Sequence, residues 1–189
     1  MYKNNSEDLY IIYPSPDVKI YAIGQKAVDH YVKLIFKGFG EKDEDKIQDA
    51  LLDIHHLESG DDFVYNHPPN CSLYVHKDEN HIRGNELTNS QNKTDHLFFY
   101  SIETVKIESK GGRTITETKN SYIVVLGEEN ITSRIEEELT YLGVEEAYDI
   151  VKKNTKTILE KRLVWKEINK NYMISAKFCE KHVVNLSFV

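Results

Sequence analysis

"IYAIGQKAVDHYVKLIF", residues Ile20 to Phe36, joins an apolar run to a helix-like segment through Gly24, Gln25 and Lys26. Before the glycine, Val18, Ile20 and Ala22 alternate with Lys19, Tyr21 and Ile23, the two-residue period of a strand over residues 17–24. From Lys26 onward, Ala27, Val28, Tyr31, Val32, Ile35 and Phe36 recur at steps of three and four, which gives one buried helix face. The stretch predicts a strand, a glycine corner and a helix. Gly38 and Gly40 then relax the backbone, and the charged run after them ends the helix.

Beyond this junction, a second amphipathic helix is expected from Asp43 through Ile47, Ala50, Leu51, Ile54 and Leu57, with carboxylates at its N-terminus. Residues 59–96 are weakly patterned: "HPP" at 67–69 interrupts regular structure, "CSLYVH" reads as one short strand, and residues 83–95 have loop composition. Residues 97–127 predict a long hairpin turning at Lys110-Gly111-Gly112-Arg113, where the glycines supply positive φ. Two helices follow, the first capped by Thr132 or Ser133, with a pause at Gly143 and Val144, Ala147, Val151, Ile158 and Leu159 turned inward. "LVWKEI" and "HVVNLSFV", separated by residues 169–181, read as closing strands.

At 189 residues and 22.0 kDa the chain fits a single domain, residues 1–189. With 40% hydrophobic and 29% charged residues it should fold in water. No apolar run has membrane-helix length and "MYKNNSEDLY" lacks a signal-peptide layout, so the expected location is intracellular, nuclear or cytoplasmic, with no membrane partner. Cys71 and Cys179 belong to no zinc or disulfide spacing. Adjacent His55 and His56 point about 100° apart on a helix and cannot share an ion as an i, i+4 pair would. His67, His76, His81 and His96 have no metal-ligand spacing. No catalytic motif is found, and no cofactor or metal is expected.

The residues "IGQKAVDHYVK" resemble the opening signature of the Alba family, with Gly24, Lys26, Val28, Tyr31 and Val32 at the matching positions. "NSYIVVLG" and "GVEEAYDIVKKNTKTILEKR" would stand for that family's second strand and second helix, and "LVWKEI" with "VVNLSFV" for its final pair. The resemblance implies an α+β fold, a β-α-β-α-β-β sandwich of a mixed sheet and helices. Its core would be residues 17–39 and 119–189, about half of the chain. Residues 40–118 would be a large insertion after the first helix, holding the acidic helix, a loop and part of the hairpin. The sequence departs from the family at Gln25, which replaces one of two paired lysines, in the lack of a Gly-rich entry to the second helix, and in the extra helical segment at 131–142.

The net charge of −7 disfavours phosphate binding unless the charge is segregated. Residues 40–118 carry 8 basic and 16 acidic side chains, whereas residues 161–189 carry 6 and 2, and residues 17–39 carry 4 and 2. Because the Alba family meets nucleic acid with its first turn and last hairpin, the resemblance implies a nucleic-acid-binding set of Lys19, Gln25, Lys26, Lys170, Lys177 and Lys181. The expected function is a non-catalytic accessory subunit, not an enzyme. It would pair with a protein partner in a hetero-oligomeric complex such as a heterodimer, and help that complex hold DNA or RNA, binding nucleic acid weakly alone. The alternative is a protein-interaction module with no nucleic-acid role, working through the hairpin at 97–126 and the acidic helix at 43–57.

Overall fold

The computed structural model describes residues 6–68, 70–89, 94–167 and 170–188. The chain is α+β, with two antiparallel four-stranded sheets and five helices among the described residues, and it divides into two compact units. Unit 1 comprises residues 1–96 and 182–189, and unit 2 comprises residues 97–181.

Unit 1 begins with a hairpin of β1 (Glu7–Ser15) and β2 (Val18–Ile23), followed by α1 (Gly24–Phe39) and α2 (Glu44–His55). A second hairpin, β3 (Asp62–His67) and β4 (Cys71–Ile82), and the short α3 (Gly84–Asn89) complete the order. The strands lie in the order β2-β1-β4-β3. Tyr10, Ile12, Ala22, Leu73 and Val75 meet Val28, Val32, Phe36, Leu51 and Ile54 in one apolar core. Phe36 and Ile54 are fully buried, and each such burial contributes about 1.5–3 kcal/mol. The α1 helix ends where Gly40 takes φ +83°, and α2 begins at Asp43, whose carboxylate accepts from the N–H groups of Asp45 and Lys46.

Unit 2 repeats this order of elements. Hairpin β5 (Thr94–Lys110) and β6 (Arg113–Leu126) leads through a 3-10 turn at Glu128–Asn130 to α4 (Ile131–Tyr141) and α5 (Ala147–Glu160). Hairpin β7 (Leu163–Glu167) and β8 (Lys170–Asn185) follows, and the strand order β6-β5-β8-β7 matches that of the first sheet. Its core gathers Tyr100, Ile102, Ile123, Val125, Tyr172 and Ile174 under Ile135, Leu139, Val151 and Ile158. The first three residues of β5 and the last four of β8 belong to unit 1, which also holds the terminal 3-10 turn Leu186–Phe188.

Each unit thus reads β-β-α-α-β-β, a different frame from the expected β-α-β-α-β-β with a mixed sheet. Residues 17–39 and 119–181 fall in different units, and residues 40–118 supply the inner strands β4 and β5. The region 59–96, expected to hold one short strand, contains two strands and a helix; charged Lys77, Asp78 and Glu79 mask the second half of β4 in the sequence. The β1 strand was missed because Leu9, Tyr10 and Ile12 are all fully buried, so no alternation marks it. At the C-terminus, β8 runs through the residues read as a separator, since Tyr172, Ile174 and Ala176 alternate inward. The α4 helix starts at Ile131 rather than after Thr132 or Ser133, because Asn130 closes a 3-10 turn by donating from Nδ2 to the Leu126 carbonyl at 2.5 Å.

Candidate functional site

Gly24 opens α1 with φ +77°, and the Glu7 Oε2 atom lies 2.6 Å from where a Cβ would stand. No side-chain cap and no acidic first-turn residue meets the positive end of this helix. The neighbouring strand supplies the anion instead: Glu7 and Asp8 line a recess of about 280 Å³ with Ile23, Gly24, Gln25 and Lys26. Gln25 and Lys26 are exposed at its rim. A phosphate entering here would meet two carboxylates against one lysine, which weakens the site electrostatically. Asp8 is further committed to Lys77 at 2.9 Å and to His81 at 3.0 Å.

Lys19 is exposed on β2, its Nζ 5.9 Å from the ring centroids of both Tyr13 and Tyr21. It stands roughly 15 Å along the strand from the Gly24 corner. Lys170 opens β8 opposite Glu167. Lys177 and Lys181 are both exposed, on the β8 face opposite Tyr172, Ile174 and Ala176, and roughly 13 Å apart. The structure therefore brings Gln25 together with Lys26 in unit 1 and places Lys177 near Lys181 in unit 2. Lys170, of opposite strand parity, does not join the second pair. Unit 1 carries 10 basic and 17 acidic residues and unit 2 carries 14 of each, so the lysine pair on β8 lies in the neutral unit.

A different feature lies in the hairpin at 97–126, which the sequence offered as a protein-binding surface without distinguishing its edge strand. β6 is an edge of its sheet, 14 residues long, and pairs with β5 without a register shift from Leu97↔Leu126 to Lys110↔Arg113. The other edge strands are short: six residues in β2, six in β3 and five in β7. Short edges, bulges, prolines and charged side chains are the usual guards against strand addition; β6 lacks the first three, and its charges are Arg113, Glu117 and Lys119. Gly111 and Gly112 have φ +58° and +75°, as a two-residue type I′ turn requires. That turn makes Lys110 and Arg113 a hydrogen-bonded pair, so the backbone groups of Thr114, Thr116 and Thr118 point away from β5. All residues from Arg113 to Thr118 are exposed, with Ile115 at 53%.

Closer to the core the edge is tied down. Lys119 donates to Glu138 on α4 at 2.8 Å and lies 4.5 Å from the Tyr141 ring centroid, while Ser121 donates to Glu138 at 3.4 Å. The "TITET" run could have flagged this edge, because its β-branched residues carry no inward apolar alternation. Among the described residues, no three His, Cys, Asp or Glu side chains converge to hold a metal ion, and no helix is long and apolar enough to cross a membrane. No protein-family model, curated protein or solved structure matches the chain.

Proposed function

We propose that this chain is a non-catalytic, intracellular accessory subunit that joins a protein complex by accepting an extended segment of its partner along β6. The observation that carries this reading is the exposed stretch from Arg113 to Thr118 of the fourteen-residue edge strand β6, which has neither bulge nor proline. Strand addition draws affinity from main-chain hydrogen bonds and specificity from alternate side chains. The β6 edge offers the outward backbone groups of three threonines, with Ile115 as an apolar contact and Arg113 and Glu117 to set register. A nuclear or cytoplasmic location suits such a subunit.

Nucleic-acid assistance is the second reading, favoured by Lys177 and Lys181 on one face of β8 and by the Alba-like strand–glycine–helix corner at residues 18–39. One experiment separates the two. Thr116→Pro removes an outward donor without touching the β5–β6 ladder, because the Thr116 N–H does not face β5. The tagged chain, purified from its native cells, should lose its partner as Thr116→Pro and keep it as Lys177→Glu/Lys181→Glu, with thermal unfolding unchanged in both. Retention by the proline variant, with loss on charge reversal and at raised salt, would overturn strand addition and favour phosphate contacts.

A further inference from the structure

His67 ends β3 and Cys71 opens β4, and the two are directly opposed in the register of the hairpin. Opposed residues on one sheet face hold their Cβ atoms about 4.5–5.5 Å apart, so imidazole and thiol are neighbours. Both belong to the helix-facing set that includes Phe63, Tyr65, Leu73 and Val75. The His67 ring is fixed by stacking on Phe39 at 5.8 Å and on Tyr65 at 6.4 Å.

Behind the imidazole sits Glu41, whose Oε2 lies 3.6 Å from His67 Nδ1. That is too long for a hydrogen bond, and Nδ1 is buried with no hydrogen-bond partner, so the carboxylate borders the inner edge of the ring without bonding to it. Glu41 is itself held in place: it accepts from the N–H of Lys42 at 2.9 Å, the N–H of Asp43 at 3.0 Å and the Tyr65 hydroxyl at 3.3 Å. With Nδ1 turned inward, Nε2 is the nitrogen left for the recess of about 420 Å³ that His67 and Cys71 line together with Asn66, Pro68, Asn70 and Ser72. Imidazole and thiol thus share one sheet face and one recess, the placement from which a base can activate a nucleophile. The Cys71 thiol is free and half-buried.

We infer that Cys71 is a modification site, a base-assisted thiol that exchanges with small disulfides of the low-molecular-weight thiol class. In the step, the Cys71 S–H proton passes to His67 Nε2 and the thiolate attacks one sulfur of the disulfide. A new S–S bond to Cys71 forms, the original S–S bond breaks, and the departing thiolate takes the proton from the imidazolium. The disulfide is the oxidant, so atoms and electrons balance without any other reactant.

Cys179 is an internal control: it is exposed on β8, with its Sγ 3.6 Å from the Lys177 carbonyl oxygen. The experiment treats the full-length protein with oxidised glutathione near neutral pH and follows both cysteines by site-resolved mass spectrometry. Cys71 should form the mixed disulfide faster than the more exposed Cys179, and His67→Phe, which keeps the ring stacking and removes the base, should slow Cys71 at least about tenfold. Glu41→Gln should slow it less, neither variant should change the rate at Cys179, and thermal unfolding like the parent's reports that unit 1 is intact. Equal rates at the two cysteines, a faster Cys179, or a Cys71 rate that His67→Phe leaves unchanged would overturn the proposal.

Discussion

Gly24 sits where a strand must become a helix within one residue, and two facts make glycine the residue for that place. Its φ of +77° is left-handed, and the carboxylate of Glu7 fills the space that a side chain would take. The clash is with the flexible end of Glu7 and is cheap to relieve, so the conformational term decides the cost. Gly24→Ala should therefore destabilise unit 1 by about 1–2 kcal/mol, the penalty for a left-handed non-glycine residue. Chemical denaturation checks this; unchanged stability would mean that the corner does not require positive φ. The glycine and the helix after it were legible in the sequence because both are local signals. The role of Glu7 was not, since it lies on a strand, seventeen positions earlier, that betrays no alternation.

At the scale of elements, hairpins were readable where their turn chemistry was plain and hidden where charge covered the pattern. The Gly111-Gly112 turn announced β5 and β6, whereas the β3–β4 hairpin was concealed by its prolines and by its polar outer face. That polar face has its own energetics. Tyr74 and His76 donate to Asp62 across the strand pair, which holds the Asp62 carboxyl below its usual range, and the same bond pushes the Tyr74 hydroxyl up to about 12.

The signs follow from linkage. The lowered carboxyl contributes stability above its unfolded pKa of about 3.9 that is lost as pH falls through the folded value. The raised phenol contributes stability below the ordinary value of 10.0 that is lost as pH rises through about 12. Tyr74→Phe should cost about 1 kcal/mol between roughly pH 4 and pH 10, with the difference from the parent shrinking on both sides. Denaturant midpoints across pH measure this, and a difference independent of pH would refute the Tyr74–Asp62 bond.

On the scale of the whole molecule, the chain uses one β-β-α-α-β-β plan twice and departs from it mainly in strand length: β1 and β2 have nine and six residues, β5 and β6 have seventeen and fourteen. The longer helices α1, α2, α4 and α5 were legible from their three- and four-residue steps, and the short α3 was not. The repetition was not, because strand order depends on long-range pairing and the two units share a plan in quite different residues. The acidic excess lies entirely in unit 1, so charge alone pointed to the neutral unit for any phosphate contact, but the geometry there favours a longer edge rather than a denser basic patch. Hydrogen exchange at the outward amides of Thr114, Thr116 and Thr118, compared between the free chain and its native complex, tests this assignment most directly. Strand addition along β6 predicts rapid exchange in the free chain and at least about tenfold slower exchange in the complex; unchanged exchange at all three amides in the complex would contradict it.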